Sequence, residues 1–219
     1  MRTLLDLILP LECGGCGAPG IRICANCLAA LTVPPVIVRP RVDVDAACWA
    51  IGPYSGPLRQ AVIAAKEQGR RDLAGPLGAG LAHAVDWLRT AGELDPPQLA
   101  PLVFVPAPTR ARAARRRGGD PVARMAQSAV DRTTDGGCTV TRLLRLGWGV
   151  RDSVGLSAAQ RTANLAGRVG VRGDIPRRKD TNVVLVDDVL TTGATAAASV
   201  RALAVAGVAV SAVLVVAAA

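Results

Sequence analysis

The stretch Val183–Thr195, reading Val-Val-Leu-Val-Asp-Asp-Val-Leu-Thr-Thr-Gly-Ala-Thr, constrains this chain more than any other. Four aliphatic residues in a row, Val183–Val186, predict a strand buried on both faces, as in a parallel sheet covered by helices. Two carboxylates, Asp187 and Asp188, follow where that strand is expected to end. A short Thr/Gly loop comes next, and Ala196–Leu203 reads as a helix rich in strong helix formers. In an open α/β sheet, such a strand–loop–helix junction is where ligands bind.

Each part has a chemical use. A helix N-terminus presents unpaired N–H groups and a partial positive charge, which suits a phosphate. Gly193 would let the backbone approach that anion, and the hydroxyls of Thr191, Thr192 and Thr195 can add donors. Asp187 and Asp188 would repel a phosphate. They suit vicinal hydroxyls or a hydrated Mg²⁺ instead. A phosphate at one end and a diol a short way off describe a ribose 5-phosphate. On these residues the segment resembles the phosphoribosyl pyrophosphate (PRPP) signature of type I phosphoribosyltransferases. The resemblance implies that Asp187 and Asp188 take the ribose hydroxyls. It also implies that Thr191-Thr192-Gly193-Ala194-Thr195 wraps the 5′-phosphate, with Mg²⁺ accompanying PRPP.

The rest of the chain bounds the possibilities. Its 219 residues make one good-sized domain, or one domain with a small appendage. Half the residues are hydrophobic, so a core is available, yet the aromatics are only Trp49, Tyr54, Trp87, Phe104 and Trp148. That scarcity argues against base-stacking nucleic-acid platforms. The net charge of +9 comes almost wholly from Arg, Lys66 and Lys179 being the only lysines, and it favours phosphate-bearing partners or a solvated basic surface. One histidine, His83, excludes multi-histidine metal chemistry.

Met1–Pro10 has Asp6 inside a short apolar run and no small-residue cleavage site, so it reads as docking helical turns rather than an export signal. The uncharged run Ala202–Ala219 is long enough to be a membrane-span candidate. Gly207 divides it into a helix end and a β-branched strand, Val208–Val216, and a buried α/β core is expected instead. Cys13-Gly-Gly-Cys16 and Cys24-Ala-Asn-Cys27 are paired Cys-x-x-Cys knuckles. Disulfides or a redox pair are alternatives, but without an export signal a reducing, cytoplasmic compartment is expected. Four thiolates converging on one structural Zn²⁺ is the preferred reading. Cys48 and Cys138 stand apart and read as small buried hydrophobes.

Further along, Leu31–Val44 is rich in Pro and Val and reads as a linker, and Ala46–Ile51 as a strand. Helices are expected over Leu58–Gln68, about Asp72–Ala91, and Val122–Val130, the second carrying Leu73, Leu77, Leu81, Val85 and Leu88 on one face. Strands are expected at Leu102–Pro106 and Thr139–Leu146, and a helix at Ala158–Arg168 capped by Ser157. The cluster Arg110–Arg117, with Arg112, Arg115, Arg116 and Arg117, either grips a pyrophosphate or is a basic helix face.

Taken in order, the motifs resemble the ComF family. They are Cys13/Cys16/Cys24/Cys27, Tyr54–Arg59 with Lys66, Val105–Pro108, Arg115–Gly118, Gln160–Asn164 and Asp187–Thr195. The resemblance spans nearly the whole chain. It implies a type I phosphoribosyltransferase-like α/β domain over 46–219, preceded by a zinc-binding segment and linker over 1–45. Members are phosphoribosyltransferase-like, and several are linked to DNA uptake, so PRPP, single-stranded DNA and the DNA-import machinery become candidate partners. The chain departs from the family at Gly119-Asp120-Pro121, where Phe-Asn-Gln is common, and lacks a further Cys-x-x-Cys-Gly. Thr191 stands where 6-oxopurine enzymes resemble one another in carrying an Asp base, which argues against purine salvage. Orotate-type enzymes resemble the chain there, so an enzyme with another acceptor and a PRPP-sensing regulator both stay open.

Overall fold

The computed structural model describes residues 11–109, 114, 118–133, 137–147, 168–173 and 180–219. Strands β1 (Val36–Val38), β2 (Ala47–Pro53), β3 (Leu102–Pro106), β4 (Cys138–Val140), β7 (Asn182–Leu190) and β8 (Ala212–Ala218) form a six-stranded sheet in the order β1-β2-β8-β7-β3-β4. All neighbours are parallel except β1, which runs antiparallel to β2. A separate antiparallel pair joins β5 (Leu144–Leu146) to β6 (Val169–Val171). The helices are α1 (Ala25–Leu31), α2 (Gly56–Lys66), α3 (Ala74–Thr90), α4 (Pro121–Val130) and α5 (Ala194–Val205).

The sheet is buried on both sides because its central strands are apolar at every position. Val184, Val186, Phe104 and Leu214 point into one core with residues of α2, α3 and α4. Their neighbours Val183, Leu185, Val105 and Val213 point into a second core with α5. The crossover β3–α4–β4 therefore lies on one face, and β7–α5–β8, which moves the opposite way along the sheet, on the other. Right-handed connections require that change of face. The strand order reverses between β3 and β7, so their C-terminal ends border the crevice typical of ligand sites in such sheets.

Several boundaries differ from the sequence reading. Strand β7 does not stop at the acidic pair but continues to Leu190, because β8 supplies a partner ladder as far as Ala218. Gly207, at φ +80°, closes α5, and the final strand begins at Ala212 rather than Val208. The single strand expected at Thr139–Leu146 is interrupted at residues 141–143, and β4 and β5 lie in different sheets. The segment expected to be a linker supplies the edge strand β1 and then packs on the α5 loop. The expected turns in Met1–Pro10 and helix Ala158–Arg168 fall outside the described residues, apart from Arg168 itself.

Helices α3 and α4 touch through glycine. A Cβ on Gly78 would lie 2.7 Å from the Met125 carbonyl oxygen and 2.8 Å from the Ala129 nitrogen. Those are backbone atoms, so relief requires moving a whole helix. Gly78→Val should cost about 3 kcal/mol and lower the melting temperature by roughly 6–12 °C. Gly75→Ala, one turn earlier, meets only the end of the Arg132 side chain at 3.4 Å and should be neutral or mildly stabilising. Thermal unfolding of both variants checks the contrast; equal melting temperatures would refute it.

Candidate functional site

The two cysteine knuckles fold around one point. The Sγ atoms of Cys13, Cys16, Cys24 and Cys27 all lie within 4.8 Å of one another, with Cys16 and Cys24 3.7 Å apart. All four thiols are free. Four thiolates about 2.3 Å from a tetrahedral Zn²⁺ would be spaced on this scale, so the donor set fits such an ion. The turns are glycine-dependent. Gly17 adopts φ +79°, and a Cβ on Gly15 would lie 2.7 Å from the Cys27 sulfur. Burial raises the Cys13 thiol, but backbone N–H groups of Cys24, Cys16 and Gly15 outweigh it and bring the pKa to about 6. Burial and the neighbouring thiols push Cys27 strongly upward. A cation would relieve that conflict.

The cysteine centre packs against the α/β body. Gly14 sits against Leu73, Gly15 against Pro57, and Leu31, ending α1, belongs to the core shared with α2 and α3. Arg70 ties it further: its guanidinium forks Asp72 at 2.9 and 2.7 Å and donates to the Glu12 carbonyl at 3.0 Å.

The second assembly lies where β7 meets α5. Asp188 is buried on the α2–α4 face, and the Lys66 ammonium at the end of α2 sits 2.8 Å and 3.1 Å from its two carboxylate oxygens. Asp187 is half-buried, and its Oδ1 accepts the Asp188 N–H at 2.8 Å. Loss of water chiefly, and then the charge of Asp188, raise its pKa to about 8, while Lys66 pulls it down. A hydroxyl donor or a cation placed here would relieve the like-charge contact. Thr191 is exposed, Thr192 and Thr195 are half-buried, and Gly193 and Ala194 are buried. Gly193 caps α5 with φ +85°, and the Ala194 N–H donates to the Thr192 hydroxyl at 3.4 Å.

The space beside Gly193 is already filled. A Cβ there would lie 2.6 Å from Pro40 and 2.9 Å from the Val42 carbonyl oxygen, and the Val42 N–H donates to the Thr192 carbonyl at 2.9 Å. A side chain at Gly193 would therefore collide with the segment after β1, which braces the loop.

A cleft of about 540 Å³ opens at the C-terminal end of β3, lined by Pro106, Ala107, Thr109, Gly118, Gly119, Asp120, Arg142 and Arg145 among others. It adjoins the acidic pair, since the Ala107 N–H donates to the Val186 carbonyl at 2.7 Å, one residue before Asp187. Arg71 presses on Gly118, and Arg124 lies 3.4 Å from where a Gly119 side chain would begin. Burial depresses the Arg124 pKa, and the charges of Arg71 and Arg142 act in the same direction. Among the described residues no carboxylate is ion-paired to Arg71, Arg124, Arg142 or Arg145. Asp120 is occupied as the N-cap of α4, accepting from Val122 and Ala123. Arg142 and Arg145 thus line the cleft together, an arrangement that would suit an anion.

No family model matches this chain. No curated protein matches it significantly in sequence.

The structure brings Asp187, Asp188 and Thr191–Thr195 together at one strand end, and the four cysteines at a separate point. The expected Arg110–Arg117 cluster lies outside the described residues apart from Ala114. Sequence reasoning missed Arg71, Arg124, Arg142 and Arg145, which are scattered along the chain and share no motif. Lys66 carried two signals: it is a rare lysine in a chain that otherwise uses arginine, and it follows the Tyr54–Arg59 motif of the family resemblance. Among the described residues, no helix is long and apolar enough to cross a membrane.

Proposed function

We propose that the chain binds PRPP, or a closely related ribose 5-phosphate compound, as a type I phosphoribosyltransferase-like protein of the ComF kind. The observation that carries this reading is the position of the Asp187–Asp188 pair. It lies between a phosphate-type loop opening α5 and an arginine-lined cleft, at the point where the strand order reverses. A ligand with a diol in its middle and anions at both ends matches that order of groups. The 5′-phosphate would lie on Thr191–Thr195, the ribose hydroxyls at Asp187 and Asp188, and the second anion toward Arg142 and Arg145. Mg²⁺ belongs to this reading through the ligand it accompanies. The cysteine cluster would carry structural Zn²⁺.

Calorimetric titration with PRPP, with and without Mg²⁺, tests the reading. Removing a hydrogen-bond acceptor that a ligand needs costs about 1–3 kcal/mol. Asp187→Ala should therefore weaken binding roughly ten- to a hundred-fold, at about one decade per 1.4 kcal/mol. No heat at millimolar PRPP, in folded protein, would overturn it. Pyrophosphate release from PRPP on adding candidate acceptors then separates a working transferase from a protein that only binds. A role beside DNA predicts that single-stranded DNA affinity falls steeply with salt and with charge reversal at Arg115 and Arg116.

A further inference from the structure

We infer that Lys66 is a positioning residue of the ribose site, holding the Asp188 carboxylate in place and cancelling its charge so that the acidic pair can take the ligand's hydroxyls without setting two negative charges beside a polyanion. The inference rests on the proposed ribose-phosphate reading and assigns separate roles within it. Lys66 and Asp188 are far apart in the chain but in contact in the fold, the ammonium lying 2.8 Å and 3.1 Å from the two oxygens. The carboxylate is nearly closed off, with 10% of its side chain exposed, against 39% for the lysine. A carboxylate so placed needs a counter-charge.

Lysine suits the task. A compact ammonium can sit between both oxygens of one carboxylate, whereas a planar guanidinium would demand a wider, side-on approach. Its field also reaches Asp187, where it opposes the effect of Asp188. The ligand expected here is a polyanion. Without Lys66, one more negative charge would stand beside it whatever the protonation state of Asp187. The penalty should therefore grow with the charge of the ligand, which a purely structural role for the pair would not produce.

The experiment titrates wild type, Lys66→Met, Lys66→Arg and the double variant Lys66→Met/Asp188→Asn with PRPP and with ribose 5-phosphate. Thermal unfolding confirms that each protein is folded. Lys66→Met should bind PRPP about tenfold more weakly, a modest figure because the lysine is partly exposed, and lose less affinity for ribose 5-phosphate. Lys66→Arg keeps the charge and should lose less PRPP affinity than Lys66→Met. The double variant should recover most of the Lys66→Met loss, since it removes the uncompensated charge. A folded Lys66→Met variant with unchanged affinities would overturn the assignment. So would an equal loss for both ligands that Asp188→Asn fails to restore. If wild type binds neither compound, the ribose-phosphate reading itself fails and takes this inference with it.

Discussion

Purified protein is expected to contain one zinc ion per chain, and Cys27→Ser to lose both the metal and much of the stability of the fold. Cys27 is buried in the first turn of α1, and its sulfur closes the cluster beneath Gly15. Isolated zinc-finger peptides gain an apparent ~10–16 kcal/mol from their metal. Here the body has its own core, so only part of that should appear on metal loss, about 3–5 kcal/mol. The corresponding fall in melting temperature is roughly 6–20 °C. The effect should not stay local, because Leu31 and the Gly14–Leu73 contact carry it into α2 and α3. Elemental analysis and thermal unfolding measure both quantities, with Cys138→Ser, outside the cluster, as the control. Zinc absent from protein prepared without chelators, or retained in full by Cys27→Ser, would refute the assignment.

Gly193→Val should abolish detectable PRPP binding and destabilise the protein, for two reasons that add at one residue. The backbone at φ +85° disfavours any side chain, and a β-branched one most of all. The new Cβ would also meet Pro40 at 2.6 Å and the Val42 carbonyl oxygen at 2.9 Å. Strain of about 1–3 kcal/mol from the dihedral and a similar amount from the collision give roughly 2–6 kcal/mol in all. The segment 39–44 must then lift off the loop, and the geometry of Thr191–Thr195 goes with it. Gly193→Ala combined with Pro40→Gly separates the two causes. Relief of the collision should return part of the stability lost by Gly193→Ala alone, while the dihedral strain persists. If the pair is no more stable than Gly193→Ala, the contact with Pro40 is not what requires glycine.

The elements that the sequence located correctly are those whose cause is local. Val183–Val186 and Leu102–Pro106 are apolar at every position, which a strand buried on both faces demands, and both are strands. Helix α4 begins where Asp120 can cap it and Pro121 can open it, one residue before the expected start at Val122. The paired Cys-x-x-Cys spacing marked a cluster that the fold brings within ligand distance of a single point. In each case the signal lies within a few neighbouring residues.

What the sequence left undetermined depends on partners far along the chain. Strand β7 runs on through Asp187 and Asp188 because β8 is long enough to pair with it, which nothing in residues 183–190 reveals. Residues 36–44 looked like a linker because their hydrogen-bond partners, β2 and the Thr192 carbonyl, lie elsewhere in the sequence. Composition alone could not tell that a side chain at Gly193 would meet Pro40, nor that Lys66 pairs with Asp188. Arg71, Arg124, Arg142 and Arg145 share no spacing and meet only once α3, α4 and β5 have packed. The sequence by itself determined which segments must be buried and which short motifs carry charge or metal ligands, since burial pattern and local spacing are properties of neighbours. The tertiary structure alone decided which charges face one another, because electrostatic and steric pairing depends on distance in space, and the chain order does not encode it.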